Sequence, residues 1–432
     1  MKNIHITTLG CSKNDVDSDV LKGQIEVNKL NVVDSVEESD IMVINTCGFI
    51  EAAKEQSVNA ILEAIEVKKN NPSKKVFVAG CLSARYKDEL KDELPEVDEF
   101  FGTEDYSGIL SHIDENAEVK EETLYAQRSV SSDEHYAYIK ISEGCNHTCN
   151  FCAIPAMRGK HRSRLIEDVV AEAEQLAEKG VKEVILIAQD STYYGRDTYK
   201  KPMLGKLLEA LDHVDGIEWI RVMYAYPLSF PKDVIPVMKN STKICNYVDM
   251  PVQHISDHMI QKMNRGTKKE YTFRIMRMMR EEIPNMTLRT TLIVGHPGET
   301  EEDHQESIDF IKEFKFNRLG VFTYSDEDGT PSAEMEDKVP MDVKIRRMNE
   351  IMEVQRDISL ELNREKIGKT IRVLVDEYDA EQQMFIARSE ADAPEIDNAV
   401  MVDYSSEINV GNFYTVSVYD ASEYELYAKL DH

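Results

Sequence analysis

The sequence predicts an α/β protein in three parts: an amino-terminal parallel-sheet α/β domain, a central partial (β/α) barrel and a small antiparallel β-barrel at the carboxyl end. Three observations along the 432 residues predict it. Short β-branched runs alternate with helix-like segments as far as about residue 366. A polar, charged stretch at 114–134 interrupts that alternation once. From Gly368 onward the helical patterns stop and short strand-like runs remain. Strands joined by helical crossovers pair in parallel, whereas short strands and turns without helices close into small barrels. The boundaries that follow are 1–113, 131–366 and 368–432.

In the first part, apolar runs at 4–10, 41–46 and 76–80 end at Cys11, Cys47 and Cys81, and each is followed by a helix-like segment. All three thiols then emerge at the carboxyl edge of one sheet, the edge where open α/β domains bind ligands. The cysteines are 36 and 34 positions apart, enough for one crossover unit each time, and each lies next to a glycine. Three thiolates at one edge suit an iron–sulfur centre. Three buried core cysteines are the alternative, since free cysteine packs as a small apolar residue.

In the second part, strand-like runs lie at 136–141, 184–188, 219–225, 247–252, 288–294 and 319–324, with amphipathic helices between them such as 167–178. Six strands predict a barrel open on one side, which gives a macromolecular substrate lateral access. Pro340 opens a long helix through about residue 366. In the last part, strands are expected at 370–375, 384–387, 399–402 and 413–419.

The densest chemistry follows the first strand of the second part. Cys145, Cys149 and Cys152 lie on one short loop with no fourth cysteine nearby. Three thiolates hold three irons of a cubane cluster and leave the fourth open for a substrate. Structural zinc is the alternative, with His147 or His161 closing a tetrahedral set. Cys245, beside the run at 247–252, reads as a small core residue.

Six further residues in four segments could face a ligand. Arg158 and Arg162 stand in a cationic stretch within an acidic chain, and guanidinium forks onto carboxylates; a solvated approach to the next helix explains them equally. Gln189 and Asp190 end the second barrel strand, where a turn and helix cap is the alternative. Gly295 lies in a glycine-bearing turn where backbone can approach a ligand closely, and a plain tight turn is the alternative. His254 closes the fourth strand and reads as a structural histidine.

The Cys-x3-Cys-x2-Cys loop, with Phe151 before its last cysteine, resembles the radical S-adenosylmethionine (SAM) superfamily. Gly10-Cys11-Ser12-Lys13-Asn14, Asn45-Thr46-Cys47-Gly48-Phe49 and Ala79-Gly80-Cys81 resemble the amino-terminal domain of methylthiotransferases, and the last part resembles their TRAM domain. The likeness covers essentially the whole chain. It implies two [4Fe-4S] clusters, one on Cys145, Cys149 and Cys152 and the other on Cys11, Cys47 and Cys81. SAM is expected on the open iron of the first, with Phe151, Arg158, Arg162, Gln189, Asp190 and Gly295 as contacts. In the superfamily, reductive cleavage of SAM yields a 5′-deoxyadenosyl radical.

Some family members modify adenosine in transfer RNA, and the RimO type modifies an aspartate of ribosomal small-subunit protein twelve. Ser12-Lys13-Asn14, Ala153-Ile154-Pro155, Ala188-Gln189-Asp190 and the segment 391–397 look like the RimO type. Ser191 and His296 depart from its usual threonine and phenylalanine.

Charge points the same way. The formal net charge is −29, and residues 368–432 hold four cations against fourteen acids. Tight RNA binding draws on Lys and Arg, so tight RNA binding is not expected and a basic ribosomal protein is the better partner. A non-catalytic iron–sulfur factor that binds the ribosome is the alternative from another class. A reductant and a sulfur donor of unknown identity are also implied. No run approaches the roughly 18 apolar residues of a membrane span, no signal peptide is apparent, and seven cysteines grouped by threes do not read as a disulfide framework. A cytoplasmic location is expected.

Overall fold

The computed structural model describes residues 2–120, 124, 125, 127–130, 135–228 and 230–431. The expected linker falls partly outside that description, as do the expected boundary at 131 and the final residue.

The first sheet takes β1 (Asn3–Thr8), β2 (Asn31–Val32), β3 (Ile41–Thr46), β4 (Lys75–Gly80) and β5 (Glu99–Phe100), in the order β2-β1-β3-β4-β5. Its pairings are all parallel. Crossovers run through α1 (Ser12–Val27), α2 (Glu51–Asn70) and α3 (Cys81–Glu93), and α4 (Tyr106–Ile113) closes the unit. Central β3 is buried along its whole length, as a run apolar on both faces requires. The two-residue strands β2 and β5 lie at the edges and are too short to leave a sequence pattern.

The second sheet has six parallel strands in the order β13-β12-β11-β10-β9-β6: β6 (Tyr136–Lys140), β9 (Glu183–Ile187), β10 (Trp219–Val222), β11 (Ile244–Asp249), β12 (Thr287–Val294) and β13 (Arg318–Thr323). It does not close, which is the open barrel the six runs predict. A small pair, β7 (Ser142–Glu143) with β8 (Arg162–Ser163), brackets the cysteine loop and α5 (Ile154–Arg158). Helices α6 (Ile166–Glu178), α7 (Leu204–Leu211), α8 (Val234–Asn240), α9 (Asp257–Lys262), α10 (Lys269–Glu282) and α11 (Glu301–Phe314) connect the strands, and α12 (Met341–Arg364) follows the last of them. Strand β11 begins three residues earlier than the apolar run suggests, and Cys245 lies inside it, buried.

The last part is a closed barrel of β14 (Thr370–Asp379), β15 (Met384–Ser389), β16 (Ala399–Asp403), β17 (Phe413–Ala421) and β18 (Glu425–Leu430). The antiparallel expectation needs correction at one seam, because β16 and β18 pair in parallel. The fifth strand supplies that closure; its mixed sequence, Glu-Leu-Tyr-Ala-Lys-Leu, alternates too weakly to stand out. One apolar cluster joins Val16, Val20 and Ile109 of the first part to Ile185, Met223 and Tyr247 of the open barrel and Leu374 of the last. The first two sheets therefore share a core.

Candidate active site

Cys11, Cys47 and Cys81 stand just beyond the carboxyl ends of β1, β3 and β4. Gly10 has φ +109°, and a Cβ there would lie 2.7 Å from Cys47 Cβ, so glycine is required for the first cysteine loop to close on the second. Asn14 ties the strand ends together: its Nδ2 donates to the carbonyls of Leu9 (2.6 Å) and Thr46 (3.1 Å). Cys11 is exposed, while Cys47 and Cys81 are buried. Burial pushes the Cys81 thiol up to about 11 against the opposing pull of Arg158. Buried thiols of this kind keep their protons until a soft metal replaces them.

The second triad is built locally and clamped from outside. Cys145 N–H donates to Gly159 O (3.1 Å), and Cys152 N–H to Cys149 O (3.1 Å). Asn150 at the loop tip donates through its backbone to Met263 O (3.0 Å) and through its side chain to Lys262 O (2.9 Å), and its carbonyl accepts from Ser332 (3.0 Å). Burial raises Cys145 to about 11 and Cys152 to about 12. Arg265, almost wholly buried, points Nη1 at Cys149 Sγ (3.5 Å), donates Nη2 to Pro251 O (2.7 Å) and lies over the Tyr226 ring. The Tyr226 ring in turn stacks on His147, with centroids 3.8 Å apart.

Among the described residues, neither triad brings its three sulfurs within 4.8 Å of one another. Thiolates around one zinc sit about 3.8 Å apart, given zinc–sulfur bonds of about 2.3 Å. As they stand, the three sulfurs of either triad are spread more widely than the thiolate ligands of one zinc ion. The one group that does converge is Asp17, Glu104 and Glu143. It already surrounds the ammonium of Lys140, which donates to Asp17, to Glu104 (2.7 Å) and to Glu143 (2.8 Å).

That ammonium is the hub of a buried network between the two triads. Arg158, expected as a carboxylate clamp, donates Nη1 to Glu143 (2.9 Å) and Nη2 to Asn14 (2.6 Å), and pairs with Asp17 at 3.1 Å. Its charge lies beside Cys81. Arg162, the other expected clamp, is mostly exposed and pairs with Glu104 at 2.8 Å. Burial alone would pull the Lys140 ammonium down, but the three carboxylates hold it well above the usual lysine range. Burial would raise Glu143, yet Lys140 and Arg158 hold it at about 2.

The other sequence candidates are placed as follows. Gln189 donates to Glu143 (2.8 Å), and its Oε1 is buried with no hydrogen-bond partner. Asp190 contacts His147 Nε2 at 2.6 Å and accepts from Thr192 N–H at 2.9 Å, so it both caps the turn and holds the cysteine loop. The Phe151 ring meets His296 edge-on. Gly295 is covered by the aliphatic chain of Lys344, which a Cβ there would overlap. His254 is buried between Glu299 and the Ser256 amide. Sequence reasoning quoted Asn14 in the first cysteine motif without giving it a role, and missed Asp17, Lys140, Tyr226 and Arg265, which are scattered along the chain and meet only in the fold. Glu143, two residues before Cys145, was likewise near enough to a motif to be noticed.

The chain matches the model of the radical SAM superfamily at residues 139–311, that of the uncharacterized protein family UPF0004 at 3–102 and that of the TRAM domain at 367–430. It is 51% identical to the ribosomal protein uS12 methylthiotransferase RimO of Christiangramia forsetii, covering 99% of this chain and 94% of the relative. The RimO proteins of Flavobacterium psychrophilum (49% identity, 99% and 97% covered) and Clostridioides difficile (44%, 99% and 98%) are similar over the same span. The chain belongs to the RimO family. Among solved structures, the radical SAM methyltransferase TsrM of Kitasatospora setae, with cobalamin and a [4Fe-4S] cluster bound, shares the fold at TM-score 0.57 and 14% identity, covering 77% of each chain.

Within the RimO family framework, the segment 391–397 acquires a structural reason. Asp392 accepts from Arg318 (Nε at 2.9 Å), and Asp397 accepts from Arg289 (3.2 Å) and from the Tyr247 hydroxyl (2.7 Å). Arg388 reaches Glu183 at 2.6 Å. The segment thus fastens the small barrel to β11, β12 and β13, Arg388 of β15 adds β9, and part of the acidic surplus there is neutralised internally. No described helix is long and apolar enough to cross a membrane.

Proposed function

We propose that this chain is a methylthiotransferase that modifies the β-carbon of an aspartate in ribosomal protein uS12. The observation that carries the reading is a pair of three-thiol sites joined by one buried charge network, in a chain similar over 99% of its length to uS12 methylthiotransferases. Cys145, Cys149 and Cys152 would hold one [4Fe-4S] cluster with SAM, and Cys11, Cys47 and Cys81 the other. When bound, these groups supply reductive SAM cleavage and sulfur delivery, chemistry that side chains cannot provide at an unactivated C–H bond.

The chain's own residues fix positions. Arg265 places positive charge against Cys149, and Asp190 holds His147 and so the cysteine loop. Gln189, with its free buried oxygen, is the proposed acceptor for the SAM ammonium; Phe151 and Gly295 are proposed to flank the same cofactor. Arg158 and Arg162 are proposed to register the two sites against each other, since protein acceptors already engage them. The proposal includes three domains, at 1–113, 131–366 and 368–432, a cytoplasmic location, and an external reductant and sulfur donor.

The test is anaerobic reconstitution with iron and sulfide, then SAM, reductant and a mixture of uS12 and transfer RNA. Mass spectrometry should find the methylthio gain on the uS12 aspartate. A gain on RNA alone would overturn the substrate while leaving the two-site chemistry. Absence of SAM cleavage would leave only a binding factor.

A further inference from the structure

Lys13 follows Cys11 by two residues in the first turn of α1 and is buried, with 8% of its surface exposed. Among the described residues no carboxylate pairs with it, and no carbonyl accepts from it. Its ammonium sits over the face of Tyr224, with Nζ 3.3 Å from the ring centroid. Other buried lysines behave differently. Lys140 donates to three carboxylates, Lys74 to the carbonyls of Val36, Glu37 and Ser39, and Lys344 to Tyr324 O. A largely desolvated ammonium whose N–H groups lack acceptors is costly, and an aromatic face offsets that cost only in part.

The platform under Lys13 is held rigidly. Tyr224 lies just past the carboxyl end of β10 with φ +60°, in the left-handed region that a bulky residue seldom adopts. Its amide donates to Asp249 (3.1 Å), and its carbonyl accepts from Ser191 N–H (3.0 Å). Ser191 follows Asp190, which contacts His147 of the second cysteine loop. Lys13 therefore leaves the cysteine edge of the first sheet and ends at the strand ends of the second.

We propose that Lys13, presented on the Tyr224 ring, receives the side-chain carboxylate of the substrate aspartate and so determines selection of an acid over a neutral side chain. This rests on the uS12 reading above. The carboxylate is one bond from the carbon that gains sulfur, so its receptor must stand beside both triads. Lys13 follows Cys11, its Tyr224 platform is joined through Ser191 and Asp190 to His147 of the second loop, and among the described residues its ammonium has no carboxylate or carbonyl acceptor. Arg158 and Lys140 are nearby in the fold, but carboxylates already hold them.

The experiment is a binding cycle on the cluster-loaded full chain, read by calorimetry without SAM or turnover. The ligands are purified uS12 with its target aspartate and the same protein with asparagine there. The wild-type chain should prefer the aspartate form about tenfold or more, the usual size for a charge-assisted pair. Lys13→Gln and Lys13→Met should bind both forms alike, and Lys13→Arg should restore the preference. Retention of the tenfold preference by Lys13→Gln, or equal weakening of both forms with the ratio intact, overturns the proposal. A wild-type ratio near one overturns it without any enzyme variant, which covers the case in which the lysine variants do not fold. If the wild type binds neither form and transfers nothing to uS12, the uS12 reading itself falls. Modification of uS12 without an aspartate preference removes only the role of Lys13.

Discussion

The two proposed cluster sites each offer three thiols and are built in opposite ways. Cys145, Cys149 and Cys152 fall within eight residues, and local turns place them on one loop without any strand pairing between them. Cys11, Cys47 and Cys81 belong to three strands, and no two meet until the parallel sheet has assembled with Asn14 bridging its strand ends. A locally built site depends on its surroundings for tuning. An assembled site depends on them for existence.

The largest expected effect separates the sites outright. Cys149→Ala should abolish SAM cleavage, whereas Cys47→Ala should spare it and abolish methylthio transfer, with each variant losing about one cluster's iron by metal analysis. Normal methylthio product from Cys47→Ala would sink the two-site comparison. Next comes the seam between them. Arg158→Met leaves Asp17 and Glu143 short of a buried partner and should cost about 3–5 kcal/mol in anaerobic denaturant unfolding. A loss under about 1 kcal/mol would mean that the network does not hold the sites together.

The third concerns a support of the local loop. His296, buried between Phe151, Tyr324 and Ser332, is held at about 4 by burial. Its folded value lies below its unfolded value of about 6.5, so the unfolded chain binds more protons in between. Its contribution, about 3 kcal/mol, is fully present above about pH 6.5 and lost as pH falls towards 4. His296→Phe should flatten the unfolding free energy across that window; an unchanged slope would place the pH dependence elsewhere. The smallest effect is one of tuning. Arg265→Gln removes a positive charge beside Cys149 and should lower the reduction potential of that cluster alone, as read by a titration followed by electron paramagnetic resonance. Equal shifts in both clusters would contradict the separation.

The same contrast governs what could be read in advance. The Cys145 loop was legible because its spacing is its geometry. The first triad was legible for another reason: each cysteine ends a β-branched run, and parallel pairing puts run ends on one edge. The partners of Arg158 were not legible, since a cation near a cysteine loop has no address until its neighbours are known. Asp17 and Glu143, far apart in sequence, decide what it holds. The acidic tail was read as a docking surface, and Asp392 and Asp397 prove to be internal partners of Arg318 and Arg289.

The sequence by itself determined the three-part α/β architecture, the two sets of three thiols and the strand ends that carry them, because periodicity, spacing and turn chemistry are local properties. The tertiary structure decided which charges are buried together, that Lys13 lies on Tyr224 and that the small barrel is fastened by the segment 391–397. Burial makes those contacts matter, and burial is fixed only when distant segments exclude water from the same place.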